Sequence, residues 1–478
     1  MTVQELQASD SKVFMHDIFE QQQHAFRAHP YPTYQERREM LKALKRSLLK
    51  NQQRLLKSLS ADYGHRSEDD SLLADVMPTV MSIRYHLKHM KQWMQRQPRQ
   101  IGWLFWPAKA WVEYQPLGVV GIMVPWNYPV FLALGPLIAA LAAGNRAMIK
   151  LSEFTPYTNR ILREIIEDVF DQTEVAVIEG DANIAASFSS LPFDHLFFTG
   201  STAVGKHVMR AAANNLTPVT LELGGKSPVI IGEDIDLTIA VERILYGKCL
   251  NAGQTCVAPD YILCPENKLA ELVELMENHF QSLYPSVADN PDYSAIINGS
   301  QYGRLQAWLS EAETAGCDII RLNPAAETFN PNERKIPLTI VLNPPDSLNL
   351  MQQEIFGPIL PIISYTSVHD AIRYVQRHPR PLALYLMSFD RKLQRQVLRH
   401  THSGGVCIND SVIQVAQEDL PFGGIGASGM GHYHGEEGFL TFSKAKSVLK
   451  RGRFSSAKMA FPPYGRWIHR LIYRLFIR

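Results

Sequence analysis

No two cysteines stand in a CxxC spacing in this 478-residue chain. Its five, Cys249, Cys256, Cys264, Cys317 and Cys407, are odd in number and irregularly placed. That pattern argues against a disulfide framework and against a zinc site, and a reducing, cytoplasmic setting is expected. A long apolar run is also missing. The most apolar stretch, 129–144, falls short of the roughly 18 residues of a membrane span and carries Pro136, so it reads as a buried helix. The opening MTVQELQASD is polar and lacks the apolar core of a secretory signal. Charge of one sign is lacking too: a net +1 gives no overall reason to expect nucleic acid as a partner. Repeats and low-complexity segments do not stand out.

The near-neutral total hides one asymmetry. From Gly438 onward there are ten Lys or Arg and no Asp or Glu, so the rest of the chain is acidic and the tail is the basic region. Within it, GRWIHRLIYRLFIR (465–478) puts apolar residues at 467, 468, 471, 472, 475 and 476, and arginines at 466, 470, 474 and 478. This is the pattern of an amphipathic helix with a basic face. It suits either a peripheral contact with anionic lipid through 461–478 or a helix docked on its own subunit or a partner.

What is present is α/β texture. Residues 14–60 have helical periodicity in Glu, Gln, Leu, Lys and Arg. After about residue 111, short β-rich runs (GVVGIMVPW, AMIKLS, VAVIEG, HLFFTG) alternate with helical segments. A second series follows from SPVIIGEDID through KIPLTIVLNPP, ILPIISYTS and PLALYLMSFD. Such alternation predicts βαβ units with mainly parallel sheets, here in two α/β domains joined near Glu222–Gly225.

Four short segments could carry chemistry. In FTGSTAVGK (198–206), Gly200 and Gly205 bracket a polar turn between a strand and a helix. Gly200 allows close backbone approach, and Ser201 with the helix N-terminus offers donors to a phosphate. The spacing there is neither GxGxxG nor a P-loop, and taken alone it is equally a plain strand–helix turn. In AMIKLSE (147–153), Lys150 and Glu153 end a strand at the sheet edge where open α/β sheets bind nucleotides. A carboxylate there accepts from ribose hydroxyls and repels a 2′-phosphate, although a solvated charged turn has the same sequence. VPWNYP (124–129) puts Asn127 after a strand, where its amide could donate to an oxyanion or satisfy a turn. LELGGKSP (221–228) ends an apolar run on Glu222, a carboxylate that desolvation would make a general base, or that caps a turn.

LNAGQTCVAP (250–259) sets Cys256 among small and polar residues. A lone cysteine is usually an inert buried side chain, and Cys249, Cys264, Cys317 and Cys407 fit that description. Nearby donors or positive charge would make the thiolate a nucleophile, and small neighbours would leave room for a substrate. One thiol, one carboxylate 34 residues before it, one Asn after a strand and nucleotide turns between them suggest covalent redox catalysis.

Together these segments resemble the aldehyde dehydrogenase superfamily. PWNYP (125–129), FTGS (198–201), LELGGKSP (221–228), GQTC (253–256), EIFGPILPI (354–362) and PFGGIGASGMG (421–431) stand in the family's order. GASGMGHYHGEEGF resembles the class-three branch, which includes fatty aldehyde and bacterial coniferyl aldehyde dehydrogenases. The resemblance implies Cys256 as nucleophile, Asn127 and the Cys256 N–H as oxyanion donors, and Glu222 as the base that activates water. It implies NAD, with NADP as the alternative, held by Trp126, Lys150, Glu153, Gly200, Ser201, Gly205, Leu223, Glu354 and Phe356. Leu151 departs from the proline common after that lysine, which bears on the turn carrying Glu153. The implied architecture is a Rossmann-like cofactor domain (1–222), an α/β catalytic domain (223–412), and a return to the first domain (413–455). A basic tail (456–478) follows. A β arm, with a hairpin near 103–117 and a strand near 440–450, would pair subunits into a homodimer. The implied activity is oxidation of an apolar or aromatic aldehyde to the acid. Rivals from other classes are a catalytically silent binding protein on the same fold and a thioester hydrolase.

Overall fold

The computed structural model describes residues 3–453 and 455–477; Arg478 of the tail's basic stripe lies outside them. Helices Val3–Ala28, Tyr34–Lys50 and Gln52–Tyr63 open the chain. The first break falls at HPYP, where two prolines remove helical N–H donors. Thr33 and Glu36 then form a reciprocal capping box that starts the second helix.

Two α/β bodies follow. The first sheet has the strand order Gly429–Met430, Val219–Leu223, His195–Gly200, Val119–Met123, Arg146–Lys150, Val175–Ile178, parallel except for its first edge strand. The central VVGIM is buried at every position, as expected for a strand covered by helices on both faces. Helix Pro129–Ala143 is likewise buried all round, and Gly144 closes it at φ 93°, a left-handed cap.

The chain crosses to the second body between Leu223 and Pro228. That seven-stranded sheet has the order Asp318–Arg321, Thr339–Leu342, Ile359–Tyr365, Tyr261–Pro265, Pro228–Ile231, Ala383–Met387, Gly405–Ile408, again with one antiparallel edge. A third, antiparallel sheet joins Gln97–Arg99, Lys109–Pro116 and Ser443–Lys450. The α/β fold class read from the sequence is the one observed.

The tail forms helix Trp467–Phe476, and Phe476 stacks on Trp103 of the third sheet's connection at 5.0 Å. Among the described residues no helix is long and apolar enough to cross a membrane.

Candidate active site

Register in the first sheet sets the site. Glu222 pairs with Thr199 on the neighbouring strand, and Phe198 pairs with Met123 on the next. Three adjacent parallel strands therefore end at one edge, the carboxyl edge at which open α/β sheets bind ligands. Beyond Met123 the chain passes into Pro125, Trp126 and Asn127. Beyond Gly200, Ser201 caps helix Thr202–Ala213, its hydroxyl accepting from the Val204 N–H at 3.4 Å.

The second body brings Cys256 to the same place. Helix Leu237–Cys249 ends in a tight turn, Leu250–Gly253, in which Asn251 (φ 50°) and Ala252 (φ 51°) are both left-handed. Gln254 is fully buried and ties the turn to the Ala295 carbonyl at 3.0 Å and to the Ile297 N–H at 3.0 Å. These contacts correct the expectation that small residues before Cys256 leave space for substrate. Asn251, Ala252, Gly253 and Gln254 are packed solid, and a Cβ on Gly253 would sit 2.5 Å from the Gly357 carbonyl oxygen. They shape the turn that presents the thiol.

A cavity of about 570 Å³ opens where the two bodies meet, and Cys256, Glu222, Asn127, Trp126, Gly200, Ser201, Leu223, Glu354 and Phe356 all line it. Gly205 does not line it, and instead lets the helix pack against Leu223, whose Cδ2 lies 2.6 Å from where a Cβ would stand. Lys150 and Glu153 also lie outside the lining. Lys150 is buried, donates to the Leu151 carbonyl at 2.6 Å, and has Glu153 at 4.0 Å; burial lowers its pKa.

Electrostatics divide the site. Glu222 is buried with no hydrogen-bond partner on either oxygen, and desolvation holds its pKa well above the ordinary carboxyl value. Burial, aided by the charge of Asp260, pushes Glu354 up to about 8. Cys256 is pushed up to about 12, first by burial and then by Glu354 and Glu222; its own N–H and that of Val257 pull the other way. These surroundings favour the thiol over the thiolate.

Several lining groups lack partners of their own. Thr199 Oγ, both Glu222 oxygens and Glu354 Oε1 are buried without hydrogen bonds. A helix N-terminus (Ser201 to Ala203) and glycine backbone (Gly224, Gly225) line the same space. This donor and acceptor set fits a dinucleotide: helix amides suit phosphates, and a carboxyl oxygen without a partner suits ribose hydroxyls. A Cβ on Gly224 would lie 1.9 Å from Glu354 Oε2, so glycine is what lets that carboxylate stand in the cavity.

Sequence reasoning missed a group of side chains behind the wall. Tyr63, Arg66 and Asn251 meet the Asn127 carbonyl, and the Tyr128 hydroxyl meets Thr255 Oγ at 2.6 Å. Arg304, Trp308 and Tyr433 on the cavity wall were missed as well. Tyr63, Arg66, Arg304 and Trp308 follow no motif, whereas Tyr128, Asn251, Thr255 and Tyr433 stand inside motif segments that give no sign of these contacts.

A model of the aldehyde dehydrogenase family matches residues 2–448. A Pseudomonas aeruginosa protein named "Probable coniferyl aldehyde dehydrogenase" is 52% identical over 461 residues, covering 96% of each chain. The solved substrate-bound state of Staphylococcus aureus AldH superposes with a TM-score of 0.92 at 37% identity, over 97% of this chain and 99% of the other. A Mycobacterium tuberculosis aldehyde dehydrogenase complexed with NAD+ superposes with a TM-score of 0.82 at 27% identity, over 91% and 90%. With two sheet edges converging on one cavity that holds a thiol, a buried carboxyl and a cradle fit for a dinucleotide, the chain belongs to the aldehyde dehydrogenase family and oxidises aldehydes with NAD(P).

Proposed function

We propose that the chain oxidises an apolar, aromatic aldehyde of the coniferyl type to its carboxylic acid, with Cys256 as nucleophile. The observation that carries the substrate reading is the cavity wall: Trp126, Leu132, Phe356, Phe422 and Tyr433 offer apolar and aromatic surface around the thiol. The name of the P. aeruginosa relative points the same way. Medium- or long-chain alkanals are the second reading, since the same walls accept aliphatic chains.

In this mechanism the Cys256 thiol passes its proton to water in the cavity as the sulfur bonds to the aldehyde carbon and the carbonyl π pair moves to oxygen, giving the thiohemiacetal oxyanion. The Asn127 side-chain amide and the Cys256 N–H donate to the oxyanion. NAD(P), when bound, supplies the hydride acceptor. Oxidation leaves a thioester on Cys256; Glu222 takes a proton from water, the water oxygen bonds to the acyl carbon, and the C–S bond breaks to release acid and thiol. Thr199, Gly200, Ser201 and Glu354 would hold the cofactor near the thiol, with Trp126, Leu223 and Phe356 as apolar walls and Gly205 seating the helix. Lys150 and Glu153 would meet the adenosine ribose, and a carboxylate there favours NAD.

The domain roles follow: cofactor binding by 1–222 and 413–455, and catalysis by 223–412. The test is kcat/KM across aliphatic, benzylic and cinnamyl aldehydes, each with NAD and NADP. Cinnamyl aldehydes with NAD are expected to lead by at least tenfold, a difference of about 1.4 kcal/mol in transition-state binding. A flat profile, or an alkanal in first place, would overturn the aromatic assignment.

A cytoplasmic homodimer is the assembly we infer, paired through the third sheet, whose outer strand Ser443–Lys450 is largely exposed. The tail would add to that contact. Phe476 already stacks on Trp103, yet Trp467 and Ile477 stay 74% exposed, an apolar flank suited to a second copy. Deleting 461–478 is expected to weaken the dimer in light scattering and to leave co-sedimentation with anionic liposomes unchanged. Lost liposome binding with the dimer intact would reassign the tail as a lipid contact.

A further inference from the structure

Three donors converge on the main-chain carbonyl of Asn127: Arg66 Nη1 at 2.8 Å, the Tyr63 hydroxyl at 3.1 Å, shared with the Trp126 carbonyl at 3.3 Å, and Asn251 Nδ2 at 3.3 Å, which also reaches the Gln254 carbonyl at 3.4 Å. A carbonyl oxygen has two lone pairs, so three donors exceed what the loop needs to satisfy its backbone. Arg66 is fully buried, with its guanidinium 5.0 Å from the ring of Tyr63 and 5.0 Å from that of Tyr128. Its counter-anion, Asp75, is equally buried at 3.8 Å and rides on a widened π turn, Leu72–Val76.

Asp75 is engaged on its other side as well. Its Oδ1 accepts from the Phe131 N–H at 2.6 Å, in the first turn of the helix that begins two residues after Asn127. One ion pair thus grips the loop at its carbonyl and at the helix that follows. Asn251 extends the grip to the nucleophile's turn, and the Tyr128–Thr255 hydrogen bond adds a second tie one residue before Cys256. A buried ion pair is on average no better for stability than apolar packing of the same volume, so stability alone does not account for this one.

We propose that Arg66, together with Tyr63 and Asn251, is a positioning residue for the oxidation: it fixes the Asn127 peptide so that the Asn127 side-chain amide meets the oxyanion formed at Cys256. This rests on the oxyanion role given to Asn127 above. Arg66 touches neither substrate nor cofactor in this arrangement; it acts through the peptide group it holds.

The test is a double-mutant cycle in the full-length enzyme, with kcat and the KM for NAD read separately. Asn127→Ala is expected to lower kcat by about 100-fold, Arg66→Lys by roughly tenfold and Tyr63→Phe by about threefold, as graded loss of one oxyanion donor. The KM for NAD should not move. Added to Asn127→Ala, either second substitution should cost less than about twofold, because residues acting through a shared group are not additive. Equal fold losses in both backgrounds, or wild-type kcat in Arg66→Lys, would overturn the positioning role. Tyr63→Phe leaves the ion pair intact and carries the cycle if Arg66→Lys does not fold. Wild-type kcat in Asn127→Ala would remove the oxyanion reading itself, an outcome distinct from an impaired Asn127→Ala with additive partners.

Discussion

Replacing Cys256 by serine is expected to cut aldehyde-dependent NADH formation by about four orders of magnitude or more, since no other group on the cavity wall can form the thioester. A hydroxyl is a far weaker nucleophile and a far worse leaving group than a thiol. The paired control is Cys249→Ala. Cys249 is 3% exposed within the core of the second body, and its thiol, pushed up to about 12 by burial, lies outside the cavity lining. That variant loses packing of one sulfur, about 1 kcal/mol, and should keep wild-type kcat. NADH formation undiminished in Cys256→Ser, followed by absorbance, would end the covalent mechanism. Loss of activity in a folded Cys249→Ala would move the nucleophile to the wrong residue.

Glu222→Gln carries the second large effect, and its signature is a change in which step limits turnover. The amide is nearly isosteric but cannot take a proton from water, so steady-state kcat should fall by about 10²–10⁴. Thiohemiacetal formation and oxidation do not consume that proton in the same way. A rapid burst of NADH close to one equivalent per site should therefore survive, with the acyl group retained on Cys256 and visible as added protein mass. The pH dependence has a defined sign. Burial raises the Glu222 pKa, and the carboxylate form is the active base, so kcat in the wild type should rise with pH as that group loses its proton. In Glu222→Gln this limb should vanish. A variant that turns over at the wild-type rate, or one that loses the burst along with turnover, would take the hydrolytic base away from Glu222.

Much of the site could be read from the sequence because its parts end short, uniformly apolar strands. GVVGIM, HLFFTG and VTLEL are strands buried on both faces, and such strands announce both themselves and the polar residue that terminates them. Asn127, Ser201 and Glu222 were visible for that reason. Strands Tyr261–Pro265 and Gly405–Ile408 were not; they are of similar length, but Gly405–Ile408 is only half-buried along its length and neither ends on a polar residue that the site uses. Tyr63 and Arg66 were harder still. Tyr63 ends an ordinary amphipathic helix and Arg66 lies in the turn after it, and their role arises only when Asn127, 61 or more residues later, folds back against them. The glycine and small residues before Cys256 were visible but misjudged. Their size answers the demands of a left-handed turn packed against Gly357, not the bulk of a substrate.

Position 224 carries a consequence for sequence drift in this fold. With Glu354 in its present rotamer, every L-residue other than glycine would drive its Cβ into the carboxylate, at 1.9 Å from one oxygen and 2.5 Å from the other. The two positions lie 130 residues apart and share no strand, yet a side chain at 224 displaces the carboxylate of 354. A descendant chain that acquires a side chain at 224 must either swing Glu354 out of the cavity or shed it. Gly224 therefore marks, in any such descendant, whether the room for that carboxylate has been kept.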